Sequence, residues 1–225
     1  MNNQTAPNRR RVLLGLAAGA SLPLVQGCAP LLVGSGAAGA VIAYNDRRTS
    51  GAMVEDEGIE WRTRRRLRER FGNAVNISVT SYNRVVLLTG QVPYANLRDE
   101  AGQIASQVEN VQGIVNELQV TGLSTLSERS NDAMLTSMVK ARLVDDQRVA
   151  ANHVKVVTEM NVVYLMGIVT QAEAEAATEV ARTTRGVQKV VRVFEIVSEE
   201  EARKLDAAAA SQNPPSGESG GTTGN

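Results

Sequence analysis

The body of this 225-residue chain is an internal repeat, and the repeat limits the possible folds more than any other feature. The segment NISVTSYNRVVLLTGQV (76–92) aligns with HVKVVTEMNVVYLMGIV (153–169) at a constant offset. After a gap of one residue, ENVQGIVNELQV (109–120) aligns with RGVQKVVRVFEI (185–196). Self-similarity at a fixed spacing indicates that one small structural unit is built twice along the chain.

The aligned positions are mostly valine, leucine and glycine, which are residue types common in protein cores. We place the first copy at residues 55–122 and the second at 130–198. The glycine pair ends equivalent strands, so each glycine is expected to occupy a backbone conformation or a close contact that a side chain would disturb. The aligned pairs include Val79 and Val156, Val86 and Val163, Leu88 and Leu165, and Gly90 and Gly167.

Each copy opens with residues that recur every four positions, which predicts an amphipathic helix. Alternating apolar and polar residues around a polar turn then predict a β-hairpin. A second helical pattern and a last strand complete an α-β-β-α-β order. The expected fold class is therefore α+β, with two helices packed on a three-stranded sheet in each copy. The residues predicted to face the core from the opening helices are Ile59, Thr63, Leu67 and Phe71, and Leu135, Val139 and Leu143.

The N-terminus has the pattern of a secretory signal peptide over residues 1–27. Three arginines (9–11) precede an apolar stretch from Val12 to Val25, and small Gly27 lies at the expected cleavage point. As a helix, that stretch of about 14 residues is shorter than a hydrocarbon core of about 30 Å, so it is not expected to remain as a membrane span. Export through either the Sec or the twin-arginine route is compatible with this pattern.

Cys28 is the only cysteine in the chain, so it cannot form an intramolecular disulfide. A free thiol, an intermolecular bridge and a modified side chain remain possible. The sequence Val25-Gln26-Gly27-Cys28 resembles the bacterial lipobox, which implies that the cysteine carries lipid and becomes the first mature residue. Several acyl chains would anchor the protein stably in a membrane. We interpret residues 28–54 as the lipidated N-terminus and a flexible tether.

The sequence gives little support for an enzyme. His153 is the only histidine, and no nucleophile with a nearby base or metal-ligating cluster can be assembled from the remaining residues. A G-x-G-x-x-G pattern at Gly34, Gly36 and Gly39 lacks the preceding strand that a dinucleotide-binding site requires. We therefore predict no catalytic activity, no cofactor and no metal.

An arginine-rich segment, residues 62–70, has two interpretations. The arginines could form a solvated helix face whose stems cover apolar surface, or they could bind phosphate head groups or the acidic partner domain. Nucleic acid is not an expected partner of an exported protein, and removal of a signal peptide with three arginines leaves a mature net charge of about −3. Trp61 lies off the predicted core face and is expected to pack against the tether or the other copy.

The opening helix of the second copy, residues 131–144, carries the stronger binding hypothesis. Met134, Met138, Lys140 and Arg142 are expected near the rim or outer surface of this helix. Apolar side chains beside cations suit an interfacial helix on an anionic membrane, where we predict a phospholipid-binding site. The alternative is that both methionines complete a small core.

The C-terminal tail changes from a helical charge pattern to Pro, Gly, Ser and Thr, which predicts disorder over residues 207–225.

The order of elements and the strand-ending glycine resemble the BON domain, most closely over residues 152–195. The stretch DRRTSGAMVEDEGIE (46–60) before the first copy is also similar to the family. Two such domains behind a lipobox resemble the dual-BON outer-membrane lipoproteins of the DolP (YraP) kind. The resemblance covers residues 28 to about 198. Members of this group commonly carry an aromatic residue near the position of Met134.

This resemblance implies a non-enzymatic lipoprotein on the periplasmic side of the outer membrane that is needed for envelope integrity. It also implies that the second domain binds anionic phospholipid, such as phosphatidylglycerol or cardiolipin, and that the protein gathers at the division site. The alternative is a protein-interaction module that assists the β-barrel assembly machinery or cell-wall remodelling.

Overall fold

The computed structural model describes residues 46–212. The predicted signal peptide (1–27), Cys28, the tether up to residue 45 and residues 213–225 lie outside the described residues. The elements are α1 (Ser50–Phe71), β1 (Asn76–Tyr82), β2 (Val85–Val92), α2 (Ala95–Ser106), β3 (Gly113–Asn116), β4 (Gln119–Val120), α3 (Leu126–Asp145), β5 (Lys155–Glu159), β6 (Val162–Val169), α4 (Gln171–Arg182), β7 (Lys189–Ile196) and α5 (Glu199–Gln212).

Both copies have the predicted α-β-β-α-β order, and the α+β prediction is confirmed. In each copy the hairpin is antiparallel, and the last strand runs parallel to the second hairpin strand after the helical crossover. The first copy differs in one detail: Glu117 and Leu118 interrupt its last strand. The two pieces, β3 and β4, both pair with β2, so this sheet counts four strands where three were expected.

Each copy has its own core between its helices and one face of its sheet. The residues predicted from the four-residue spacing to face these cores are all buried, including the polar Thr63. Valine, leucine and alanine fill most of the remaining volume. The helix periodicity therefore identified the correct face of both opening helices.

A buried aspartate from the opening helix holds each hairpin turn. Asp56 accepts hydrogen bonds from the backbone N–H groups of Asn83 and Arg84, both at 2.8 Å. Both turn residues have positive φ, 48° and 65°, as a two-residue type I′ turn requires. In the second copy Asp132 accepts from the backbone N–H groups of the turn residues Met160 and Asn161 at 2.8 and 2.9 Å.

The paired glycines have no room for a side chain, as the repeat predicts. A Cβ atom on Gly90 would lie 2.0 Å from the carbonyl oxygen of Asn76, and one on Gly167 would lie 2.3 Å from that of His153. Gly90 also has a φ of +115°, which L side chains rarely adopt. Both strands therefore approach a neighbouring backbone too closely for any residue other than glycine.

The two sheets pack face to face through a third core. Val86 and Leu88 of β2 point toward the helices of their own copy, whereas Leu87 points the other way and joins a cluster with Tyr164 and Met166 of β6. Polar contacts surround this core, including Lys155 Nζ to the carbonyl oxygen of Ser81 at 3.2 Å. The result is four layers, helix–sheet–sheet–helix, in which the helices of the two copies lie on opposite outer sides.

The tether prediction is wrong for residues 46–54. Asp46 and Arg47 are buried, and helix α1 already begins at Ser50 with Thr49 as its N-cap. Arg47 reaches across to the second copy, where its Nη1 donates to the carbonyl oxygen of Ile168 at 3.0 Å. These residues belong to the folded body because their charges are paired inside it.

Helix α5 also extends further than expected. It continues to Gln212, so the first residues of the predicted disordered tail (207–225) are helical. Ala202 and Ala209 are buried along it, and Leu205 packs against the third core.

Candidate functional site

The candidate site is the outward side of helix α3. The helix begins with a capping box, in which Thr125 Oγ1 accepts from the Glu128 backbone N–H at 3.2 Å and Glu128 Oε2 accepts from the Thr125 backbone N–H at 2.7 Å. The hydrogen bond from the Thr125 backbone N–H lowers the pKa of Glu128, so the cap is ionised at neutral pH. Capping and core packing together fix which side of α3 faces outward.

The outward side of α3 exposes apolar and small side chains. Met134 is 55% exposed, and Val144 near the C-terminal end is 72% exposed. At about 100° per residue, Val144 lies opposite the buried Leu135, and Met134 lies on the side of the helix between them. We define the outer α3 face as the exposed residues Leu126, Ser130, Ala133, Met134, Ser137, Ala141 and Val144, none of which is charged.

The four residues predicted to bind phospholipid do not all lie on this face. Lys140 is exposed at its edge, and Met138 is only half-buried on the flank between Met134 and the core. Arg142 is engaged elsewhere: its guanidinium donates to the carbonyl oxygen of Val180 at 2.9 Å and to Thr184 Oγ1 at 2.8 Å. Arg142 therefore caps the C-terminal end of α4, whereas Met134 and Lys140 both lie on the exposed side of α3 and Met138 lies on its flank.

A cluster of three charged residues, Arg47, Glu173 and Asp206, lies at the first turn of α4. Arg47 donates to both carboxylate oxygens of Glu173, at 2.6 and 3.0 Å, and to Asp206 on α5 at 2.8 and 3.1 Å. Burial by itself would raise the pKa of Glu173, but the hydrogen bonds from Arg47 and from the Thr170 backbone N–H lower it below its usual value. The hydrogen bond from Arg47 likewise lowers the pKa of Asp206.

His153 is buried beside this group. Its Nδ1 lies 3.6 Å from Glu173 Oε1, and its Nε2 lies 3.6 Å from Asp206 Oδ1, both beyond hydrogen-bond distance. Arg47 is hydrogen-bonded to both carboxylates, so this cluster joins the segment before α1 to α4 and α5. We call this cluster the arginine tie. Among residues 46–212 no group of three or more histidine, cysteine or acidic side chains is placed to hold a metal ion.

Sequence analysis missed the aspartates that hold the hairpin turns and the arginine tie. The aspartates could have been found, since Asp56 and Asp132 occupy equivalent positions in the repeat, three residues before the first core-facing residue. The tie could not, because Arg47 lies outside the repeat and has no counterpart in the second copy.

Cys28, the position that the sequence predicts to carry lipid, lies outside the described residues. None of the helices within residues 46–212 is both long enough and apolar enough to cross a bilayer.

The chain matches the family model of the BON domain twice, over residues 56–122 and 131–198. It is 37% identical over 183 residues to the outer membrane lipoprotein DolP of Haemophilus influenzae, covering 80% of this chain and 94% of that protein. It is also 36% identical to a 21 kDa hemolysin of Actinobacillus pleuropneumoniae, covering 68% of this chain and 79% of that protein.

A third relative is the osmotically-inducible protein Y of Escherichia coli, which is 35% identical over 120 residues and covers 52% of this chain and 60% of that protein. The two family matches fall on the two copies of the repeat, and the H. influenzae relative aligns along nearly its whole length. The chain is therefore a dual-BON member of the DolP family of outer-membrane lipoproteins.

Proposed function

We propose that this protein supports outer-membrane integrity by binding anionic phospholipid through the second BON domain, while an acylated Cys28 anchors it on the periplasmic side of the outer membrane. The binding surface is the outer α3 face with Lys140 at its edge. The protein acts by binding, without catalysis, and we expect it to gather at the division site as the resemblance to its family implies.

The observation that carries this proposal is the lack of charge on the outer α3 face. A helix on the surface of a soluble protein normally presents charged residues to water, yet this face exposes Leu126, Met134 and Val144. Apolar side chains that extend from a folded helix gain free energy by entering the acyl boundary of a bilayer. A cation at the edge adds about 1 kcal/mol near an anionic leaflet.

The shape of Met134 also fits this role. Its unbranched thioether side chain adapts to an irregular environment such as the lipid boundary. Because Met134 is 55% exposed in the folded protein, about half of its apolar surface is still available to a membrane. Met138, on the flank, contributes less free surface.

Lipid sedimentation tests the proposal. A soluble version that lacks residues 1–28 should sediment with phosphatidylglycerol or cardiolipin vesicles and stay in the supernatant with phosphatidylcholine vesicles. Equal recovery in the supernatant with all three would contradict phospholipid binding. That outcome would favour the alternative, in which the same face docks a protein of the β-barrel assembly or cell-wall machinery.

A further inference from the structure

The arginines of helix α1 fall into two groups, which match the two interpretations of this segment: a solvated helix face and a phosphate-binding surface. Four of the six arginines between 62 and 70 are used inside the first domain: Arg62 with Glu55, Arg64 with Glu60, Arg66 with the carbonyl oxygen of Gln107, and Arg70 with Glu100. The solvated-face interpretation accounts for these four. Arg65 and Arg68 remain.

Arg65 and Arg68 lie beside the exposed Trp61. The Arg65 guanidinium stacks over the indole ring at 4.7 Å from its centroid, and Trp61 is 57% exposed and is not buried against the other copy. Arg65 has one acidic neighbour, Glu69, at 3.7 Å, and both side chains are more than half exposed, so this pair contributes little. Within residues 46–212 the Arg68 guanidinium makes no ion pair.

These side chains surround a shallow cavity of about 400 Å³ on the outward side of α1. Its lining residues are Trp61, Arg64, Arg65, Arg68 and Glu69. Guanidinium groups bind phosphate oxygens through two parallel hydrogen bonds, and indole rings are favoured at the level of lipid head groups. The cavity therefore combines the two kinds of side chain that a phosphate-bearing lipid surface binds.

The repeat shows that this surface is special to the first domain. The positions of the second copy that correspond to Trp61, Arg65 and Arg68 are Ser137, Ala141 and Val144, which belong to the uncharged outer α3 face. The core positions of the two helices match, whereas their outward faces differ in charge and in aromatic content. Because the sheets pack face to face, the two faces lie on opposite outer sides of the molecule.

We propose that Trp61, Arg65 and Arg68 form a second docking surface, on the first BON domain, for the phosphate groups of an anionic lipid membrane. The occupant is a lipid surface, since an extended array of phosphates complements the separated cations and the head-group region accommodates the indole. This surface works independently of the outer α3 face, and one flat bilayer cannot contact both at once.

Trp61 itself reports on this surface, because it is the only tryptophan in the chain. The full mature lipoprotein is inserted into phosphatidylcholine vesicles, and protein-free vesicles that contain phosphatidylglycerol are added. We expect the tryptophan emission to shift to the blue as the indole leaves water. Added phosphatidylcholine vesicles should leave the emission unchanged.

Matched variants separate this site from the proposed function. Arg68→Glu should weaken vesicle docking at the α1 site by about tenfold at low salt, because one cation is lost and one anion is gained. Arg203→Glu, an equal charge change on the exposed side of α5, should have no such effect. Met134→Asp should leave the tryptophan shift intact even where it abolishes binding by α3.

An unchanged emission of the wild type on adding phosphatidylglycerol vesicles would overturn the proposal. So would a blue shift that Arg68→Glu retains at full affinity. Weaker but not abolished vesicle binding in Met134→Asp, with an intact tryptophan shift, would support both surfaces, whereas wild-type vesicle binding by a Met134→Asp, Arg68→Glu double variant would contradict the α3 assignment.

Discussion

Arg47 and Glu173 lie 126 residues apart in the sequence and form a two-point ion pair, with Nη1 2.6 Å from Oε2 and Nη2 3.0 Å from Oε1. The same guanidinium binds Asp206 of α5. One arginine before the first domain therefore joins the start of α4 to the C-terminal helix. Removing it would leave two partly buried carboxylates without their shared cation.

Arg47→Met should lower the free energy of unfolding by about 2 to 4 kcal/mol at neutral pH, somewhat less than for a fully buried pair because Asp206 is 34% exposed. Since Arg47 lowers the pKa of both carboxyls, its stabilisation is present above their ordinary pKa values, 4.5 and 3.8, and is lost as the pH falls through the lowered values. Urea unfolding of wild type and variant between pH 7 and pH 3 measures this. Arg203→Met is the control, and a difference that stays constant with pH would contradict the ion-pair account.

In the Arg68→Glu background, which weakens docking at the α1 surface, Met134→Asp should reduce binding of the soluble protein to phosphatidylglycerol vesicles by about tenfold or more, because a charge must enter the lipid boundary. Circular dichroism and melting temperature should stay near wild type, since Met134 is 55% exposed. Leu135→Ala is the neighbouring control and should cost about 2 to 5 kcal/mol of stability. If Met134→Asp melted early as well, the methionine would belong to the core.

Lys140→Glu should weaken the same binding through head-group charge, by about tenfold at low salt. The effect should shrink as the ionic strength rises, because the Debye length falls from about 10 Å at 0.1 M to about 3 Å at 1 M. Vesicle sedimentation across this salt range measures it. A salt-independent loss would point instead to a structural role for Lys140.

Gly167→Val should lower the stability of the protein by about 1 to 3 kcal/mol, because its Cβ would meet the carbonyl oxygen of His153 at 2.3 Å. Gly122→Val is the matched control, since a Cβ at Gly122 has nothing within 4 Å. Thermal unfolding of the two variants makes the comparison. Equal melting temperatures would mean that the strand can shift to accept the side chain.

Cys28→Ala should abolish acyl labelling and leave uncut precursor, because the chain has no other thiol to accept lipid. Metabolic labelling with a fatty-acid analogue, followed by mass spectrometry of the mature protein, measures this. A free thiol at Cys28 in the mature wild type would show that the lipobox interpretation is wrong.

The repeat and its periodicities were enough to predict the domain fold and the core-facing side of both opening helices. The packing between the copies was not predicted, although β2 and β6 carry its signal. VVLLTGQV and VVYLMGIV place apolar residues on both faces of each strand, as strands buried on both sides do. Leu87 and Tyr164 needed a covering layer that no helix of their own copy supplies.

The sequence predicted which side chains of the α3 site face outward, but it did not predict their hydrogen bonds to neighbouring helices. Spacing on a helix indicates which residues face outward, and it placed Met134 and Lys140 correctly on the exposed side of α3. It does not indicate which long side chains bend back onto a neighbouring helix. Arg142 is exposed as expected, but its hydrogen bonds were not predictable because its partners, Val180 and Thr184, become its neighbours only when α3 and α4 pack together.

The face-to-face sheets also determine what can fold alone. Tyr164 and Met166 are 1% and 0% exposed with the first domain in place, yet they lie on the sheet face that their own helices leave uncovered. A second domain cut from the chain would expose this row of large apolar side chains to water, which favours pairing of loose copies through the bare sheet. The repeat is thus the unit that was duplicated, and because the two copies share a core we expect the pair of domains to unfold as one cooperative unit.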